Sequence, residues 1–138
     1  MCMKKNDKVT SEFLRDHQDD EVVVWKVYYT PGPQVVYPLY YDRTTLVQPG
    51  WIVSNRESQD DDSHDTGTFI LRGIHVYMTE QVAKAELSCW EDGRCNIFRC
   101  IAKKSDLVAI GGEFNNSIDR AVFMKINLSK EEFEKGRN

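Results

Sequence analysis

The chain has 138 residues, 41% hydrophobic and 29% charged, with a formal net charge of −4. Those fractions are a globular domain's and exclude wholesale disorder, while the length suffices for one core. No apolar run approaches the ~20 residues of a membrane helix, and the polar, basic residues 1–8 do not resemble a secretory leader, so one cytoplasmic domain without membrane contact is expected.

In chain order, residues 1–9 read as a frayed terminus, and residues 10–17 as a helical turn or two anchored by Phe13 and Leu14. Residues 22–29 alternate with period two, which predicts a strand with Val23, Trp25, Val27 and Tyr29 on its core face. Pro31, Gly32 and Pro33 are expected to end it in a turn. Residues 35–41 then return as an edge strand or bulge, because Pro38 cannot donate to a ladder. After the turn at Pro49 and Gly50 comes a short segment, 51–54. The polar stretch 55–67, which holds Asp60, Asp61, Asp62 and Asp65, reads as an acidic surface loop that folding does not require.

Residues 68–77 are extended again, with Gly73 as a bulge or a close backbone approach. Thr79 is a fitting N-cap for the main helix, 79–90, stopped by Asp92 and Gly93. Residues 95–103 are apolar on both faces, as in a central strand covered by a helix. Residues 107–110 form a short strand ending in a hairpin turn at Gly111 and Gly112, and 121–128 alternate cleanly. Ser129 and Glu132 form a capping box for a last helix through Lys135. The pattern predicts an α+β fold: one domain, a twisted, mostly antiparallel sheet, one main helix packed on it and short terminal helices. Val23, Trp25, Val27, Leu87, Phe98 and Ile126 are expected in one core.

Phosphate loops, nucleophile elbows, paired-histidine zinc motifs and calcium loops are absent from the sequence. Cys2, Cys89, Cys95 and Cys100 read as free thiols, because their spacing does not match a structural zinc site, and no cofactor is expected. His75 and Tyr77 share one strand face and are either ligand-binding groups or a satisfied structural pair. Tyr41, Arg43 and Trp51, with Tyr37 and Tyr40, supply rings and a cation suited to a base or a peptide, or simply to an amphipathic sheet. The acidic groups, Asp19 to Glu21 and Asp60, Asp61, Asp62 and Asp65, disfavour direct nucleic-acid binding and suit either a basic partner or plain solvation.

The run Gly73-Ile74-His75-Val76-Tyr77-Met78-Thr79, with Ala83 following in a helix, resembles the strand-helix motif of a small domain found in phage, giant-virus and bacterial proteins, sometimes beside pentapeptide repeats. The outline extends to residues 24–28, Pro49-Gly50-Trp51 and 97–102, while pentapeptide repeats are absent here. The resemblance implies a viral or phage origin and supplies no reaction. A looser similarity is to ADP-ribosyltransferase-like folds, whose histidine, tyrosine and glutamate constellation cannot be laid onto this sequence; Glu113 alone stands near a late strand. The expectation is a non-catalytic binding protein, an antagonist of a host defence protein or a sequestering protein for a nucleotide-like small molecule. The alternative is a small enzyme acting on a nucleotide-derived substrate.

Overall fold

The computed structural model describes residues 3–32, 35–38, 46–54, 60–61, 69–70, 73–87, 94–112 and 118–136. Eleven strands among them join one sheet, and every pairing is antiparallel. In chain order the elements are β1 (Met3–Lys5), α1 (Asp7–Asp16), β2 (Glu21–Gly32), β3 (Val35–Pro38), β4 (Gly50–Val53), β5 (Asp60–Asp61), β6 (Phe69–Ile70) and β7 (Ile74–Tyr77). There follow α2 (Glu80–Leu87), β8 (Cys95–Lys103), a 3₁₀ turn (Lys104–Asp106), β9 (Leu107–Gly112), β10 (Arg120–Phe123), β11 (Lys125–Leu128) and α3 (Lys130–Gly136). Across the sheet the order is β4-β11-β8-β2-β7-β10-β9-β1-β6-β5, with β3 on β2. This is the α+β architecture that the alternation and the hairpin-like links predict.

The longest ladder, β2 with β8, runs from Glu21–Lys103 to Tyr29–Cys95 and sets the two faces of the sheet. On one face lie Val22, Val24, Tyr28, Phe98, Cys100 and Ala102, joined by Val76, Ala121, Phe123, Ile126 and Leu128 from other strands. Helix α1 adds Val9 and Phe13 to this core and α3 adds Phe133, whose ring lies 6.5 Å from that of Phe98. On the other face α2 lays Ala83, Val82 and Leu87 against Val27, Tyr77, Cys95, Trp25, Tyr29 and Ile97. The single expected core is therefore two: Val27, Trp25 and Leu87 belong to the α2 side, Phe98 and Ile126 to the other, and Val23 is half-buried. Alternation separates the faces, but the helices decide which of them closes.

Local chemistry explains where the three helices start. Asn6 caps α1, its side-chain oxygen accepting from Val9 N at 3.1 Å, so the helix starts earlier than its two apolar anchors suggest. Thr79 Oγ1 accepts from Val82 N at 3.2 Å, and Ser129 Oγ from Glu132 N at 3.1 Å, the caps expected for α2 and α3. Residues 88–93 lie outside the described residues, and α2 is described to Leu87. Pro31 and Gly32 do not end β2 as a turn. They continue it, and Gly32 pairs with Val35 through an irregular register.

Two glycines sit where a side chain would not fit. Gly73 has φ +114°, and a Cβ there would overlap the Val122 side chain, which is the close approach expected of it. Gly111 does not turn a hairpin. It pairs with Lys5 inside the sheet, and a Cβ on it would overlap the Lys4 carbonyl. The absent side chain admits β1, so the expected frayed terminus is instead a strand from Met3 to Lys5, and Met3 is wholly buried.

Candidate functional site

Strand β7 carries His75 and Tyr77 on the face opposite Ile74 and Val76, in the phase that alternation predicts. Tyr77 is 3% exposed and packs beneath α2. The Arg120 guanidinium stands 5.3 Å from its ring centre, and Arg120 Nη2 reaches Glu86 Oε2 at 3.7 Å. The phenol ring is thus held between a cation and a helix. His75 is half-buried, opposite Val122 in the ladder, and its Nδ1–H donates to the Gly73 carbonyl at 3.3 Å. Its own carbonyl accepts from Lys26 Nζ at 2.7 Å.

Lys26 is the least expected of these groups, since it points to the main core face, between Val24 and Tyr28. Burial lowers its pKa to about 8, and the neighbouring Cys100 sulfur partly offsets that fall. Burial in turn pushes the Cys100 thiol up to about 12 and raises the Tyr28 phenol. Both hold their protons at neutral pH. Cys95 is buried as well, and no cluster of metal-ligating side chains occurs among the described residues.

A shallow cleft of about 360 Å³ lies where β8 projects past β11, lined by Trp25, Glu80, Ile97, Arg99, Glu132 and Lys135. Two cations face two carboxylates there, and Lys135 Nζ is 3.8 Å from Glu132 Oε1. None of the candidate ligand- or partner-binding residues of the sequence lines it.

The open part of the α2-side face lies beyond that cleft. One transverse row runs Trp51, Asn127, Ile101, Val23 over β4, β11, β8 and β2. Two residues further along the strands, Val53 pairs with Lys125 and Lys103 with Glu21. Trp51 is 49% exposed and Val53 56% exposed. Lys103 Nζ stands 5.4 Å and Lys125 Nζ 5.7 Å from the Trp51 ring centre, so both ammoniums rest on one indole. Neither lysine is within ion-pair distance of a carboxylate among the described residues. A chain of net charge −4 thus presents a locally basic, aromatic patch.

Of the aromatic group, only Trp51 can be placed against a candidate surface. Tyr41 and Arg43 lie outside the described residues, as do Asp62 and Asp65. Asp60 and Asp61 form β5, paired with β6 at the far end of the sheet from β4. His75, Tyr77 and Trp51 do not converge: β7 and β4 are separated by β11, β8 and β2. Lys103 and Lys125 carry no signal in the sequence that would bring them to Trp51. Among the described residues no helix is long and apolar enough to cross a membrane. No family model, curated protein or solved structure matches the chain.

Proposed function

We propose that the chain is a non-catalytic binding protein that engages a protein partner through the β4 end of its sheet. The observation that carries this is the half-exposed Trp51 beside exposed Val53, with two lysine ammoniums gathered on the indole and, among the described residues, no carboxylate within ion-pair distance of either. An aromatic anchor with an aliphatic neighbour and flanking cations is the composition of a binding hot spot, because burying it on a partner removes apolar area from water and neutralises charge together. The burial of Tyr77 beneath α2, which leaves that residue 3% exposed, favours recognition over an acid–base pair of His75 and Tyr77 acting on a nucleotide-derived substrate. The resemblance to phage and giant-virus domains makes a host defence protein the partner to seek, in the role of antagonist.

A photo-crosslinking residue at Val53 tests this in a bacterial lysate, with the same residue at exposed Lys130 as control. One dominant adduct at position 53 and none at position 130 is expected. Equal labelling at both would overturn the proposal. So would chemical alteration of a nucleotide from a panel incubated with the purified protein.

A further inference from the structure

We infer that the partner of this patch is an extended acidic peptide segment that adds to the sheet as a strand alongside β4. The inference rests on the binding function proposed above and goes further, to the geometry and charge of what is bound. Strand β4 ends the sheet, and among the described residues nothing pairs with its outer edge. Ser54 N donates to the Met124 carbonyl at 2.9 Å, and β4 keeps register with β11 from Gly50–Leu128 to Val53–Lys125. In an antiparallel ladder, residues alternately point their N–H and C=O groups toward and away from one neighbour. Gly50, Ile52 and Ser54 therefore point toward β11, and the main-chain groups of Trp51 and Val53 point outward.

Those two residues are also the two whose side chains are exposed on the open face. One incoming strand would hydrogen-bond to Trp51 and Val53 and lay its own alternate side chains against the indole and the isopropyl group. The edge has no inward charge or proline to discourage such pairing, the usual protection of exposed edges. Charge selects the occupant. Lys125 lies directly across the ladder from Val53, and Lys103 and Lys125 share the Trp51 ring. Acidic side chains on the incoming strand meet both ammoniums. A second copy of this chain would bring two more lysines to the seam, and so fits worse.

The probe is an acetylated and amidated peptide of four Glu-Val repeats, with amide hydrogen exchange of the protein as readout. Exchange at Trp51 and Val53 is expected to slow at least tenfold at saturating peptide, while amides in β9 and β10 stay unchanged. Replacing Glu by Lys in the peptide, or making the double change Lys103→Glu and Lys125→Glu in the protein, is expected to weaken binding at least tenfold. N-methylating the peptide at alternate residues, in either phase, is expected to do so in one phase only. Val53→Pro removes an outward N–H and none that faces β11, so binding is lost with the melting temperature retained, and Val53→Ala keeps it. Should Val53→Pro fail to fold, the N-methylated peptides decide alone.

Binding without protection of Trp51 and Val53, or equal binding of both N-methylated peptides, overturns strand addition. So does protection of the same amides by an eight-residue thymidine oligonucleotide but not by the peptide. Absence of peptide binding with a clean crosslink at position 53 overturns this inference and leaves the binding function standing. Absence of both removes the two together.

Discussion

The two faces of the β2–β8 ladder are both apolar, yet only one is closed along its length. Val22, Val24, Phe98, Cys100 and Ala102 look into an interior covered by α1 and α3. Trp25, Val27, Tyr29 and Ile97 look the other way, and α2 covers that side near Val27 and Cys95 while leaving Val23, Ile101 and Trp51 partly or largely in solvent. The difference shows that a strand's amphipathicity and a sheet's burial are separate facts. The first is written in every second residue, and the second depends on where helices land. A helix of eight residues spans about 12 Å at 1.5 Å per residue, too short to roof five strands set 4.7–4.9 Å apart.

Truncating one large ring on each face probes this contrast most strongly. Phe98→Ala is expected to cost ~3–5 kcal/mol, as for other wholly buried aromatics, and Trp25→Ala roughly half of that or less. Equal losses in denaturant melts would show that the α2 side is as closed as the other.

Gly111→Ala comes next, at ~1–3 kcal/mol, because the new methyl meets the Lys4 backbone and not a side chain that can swing aside. Its mark is faster amide exchange in residues 3–5 than in β10. Uniform change across the sheet would mean that β1 is not the element displaced.

The third test uses the charge buried in the closed face. Lys26 has a folded-state pKa of about 8 against 10.5 when exposed, so between these values the unfolded chain holds more protons and stability rises with pH. From pH 8 to 9 the gain is about 1 kcal/mol. Above about pH 9 the raised Cys100 thiol, and above about pH 10 the Tyr28 phenol, act oppositely, since the folded chain then keeps protons that the unfolded chain releases. Urea melts at pH 8 and 9 should show the rise, and Lys26→Met should abolish it. A rise that survives in that variant would assign the effect to another group.

The smallest effect belongs to the open face. Trp51→Ala should change stability by no more than ~0.5 kcal/mol, the usual range for a surface position. A larger loss would make the indole part of the fold, and so would count against its role as a docking anchor.

Much of the sheet is legible in the sequence because the signals are local: alternation in residues 22–29, the run 95–103 with apolar residues on both faces, and caps at Thr79 and Ser129. The alternation of 121–128 reads as one strand, but Met124 breaks it into β10 and β11, so that Ala121 and Phe123, not Val122, share the main core with Ile126 and Leu128. What escapes is set by partners far along the chain. Gly111 and Gly112 carry the composition of a turn, and only the proximity of Lys4 and Lys5 makes them a strand interior. Pro31 and Gly32 likewise read as a turn but extend β2 past its ladder with β8. Lys26 reads as the polar phase of a half-exposed strand, whereas its ammonium finds the His75 carbonyl beside the core. The candidate site was legible by the half, since Trp51 stands out by its residue type. Its lysines come from β8 and β11, which pairing alone makes neighbours of β4.

The seating of Met3–Lys5 has a consequence in time. Lys4 pairs with Gly112 and with Phe69, and β1 is the strand that ties β6, and through it β5, to β9. Synthesised 108 residues ahead of Gly112, Lys4 must wait for its partner to exist, a delay of roughly 5–20 s at ordinary elongation rates. Through that interval the Met3 side chain has no slot to enter, and the β5–β6 hairpin has no attachment to the rest of the sheet. The attachment of β6 and β5 thus waits on the synthesis of Gly112, and a nascent chain halted before it would leave the Met3 side chain with nothing to receive it.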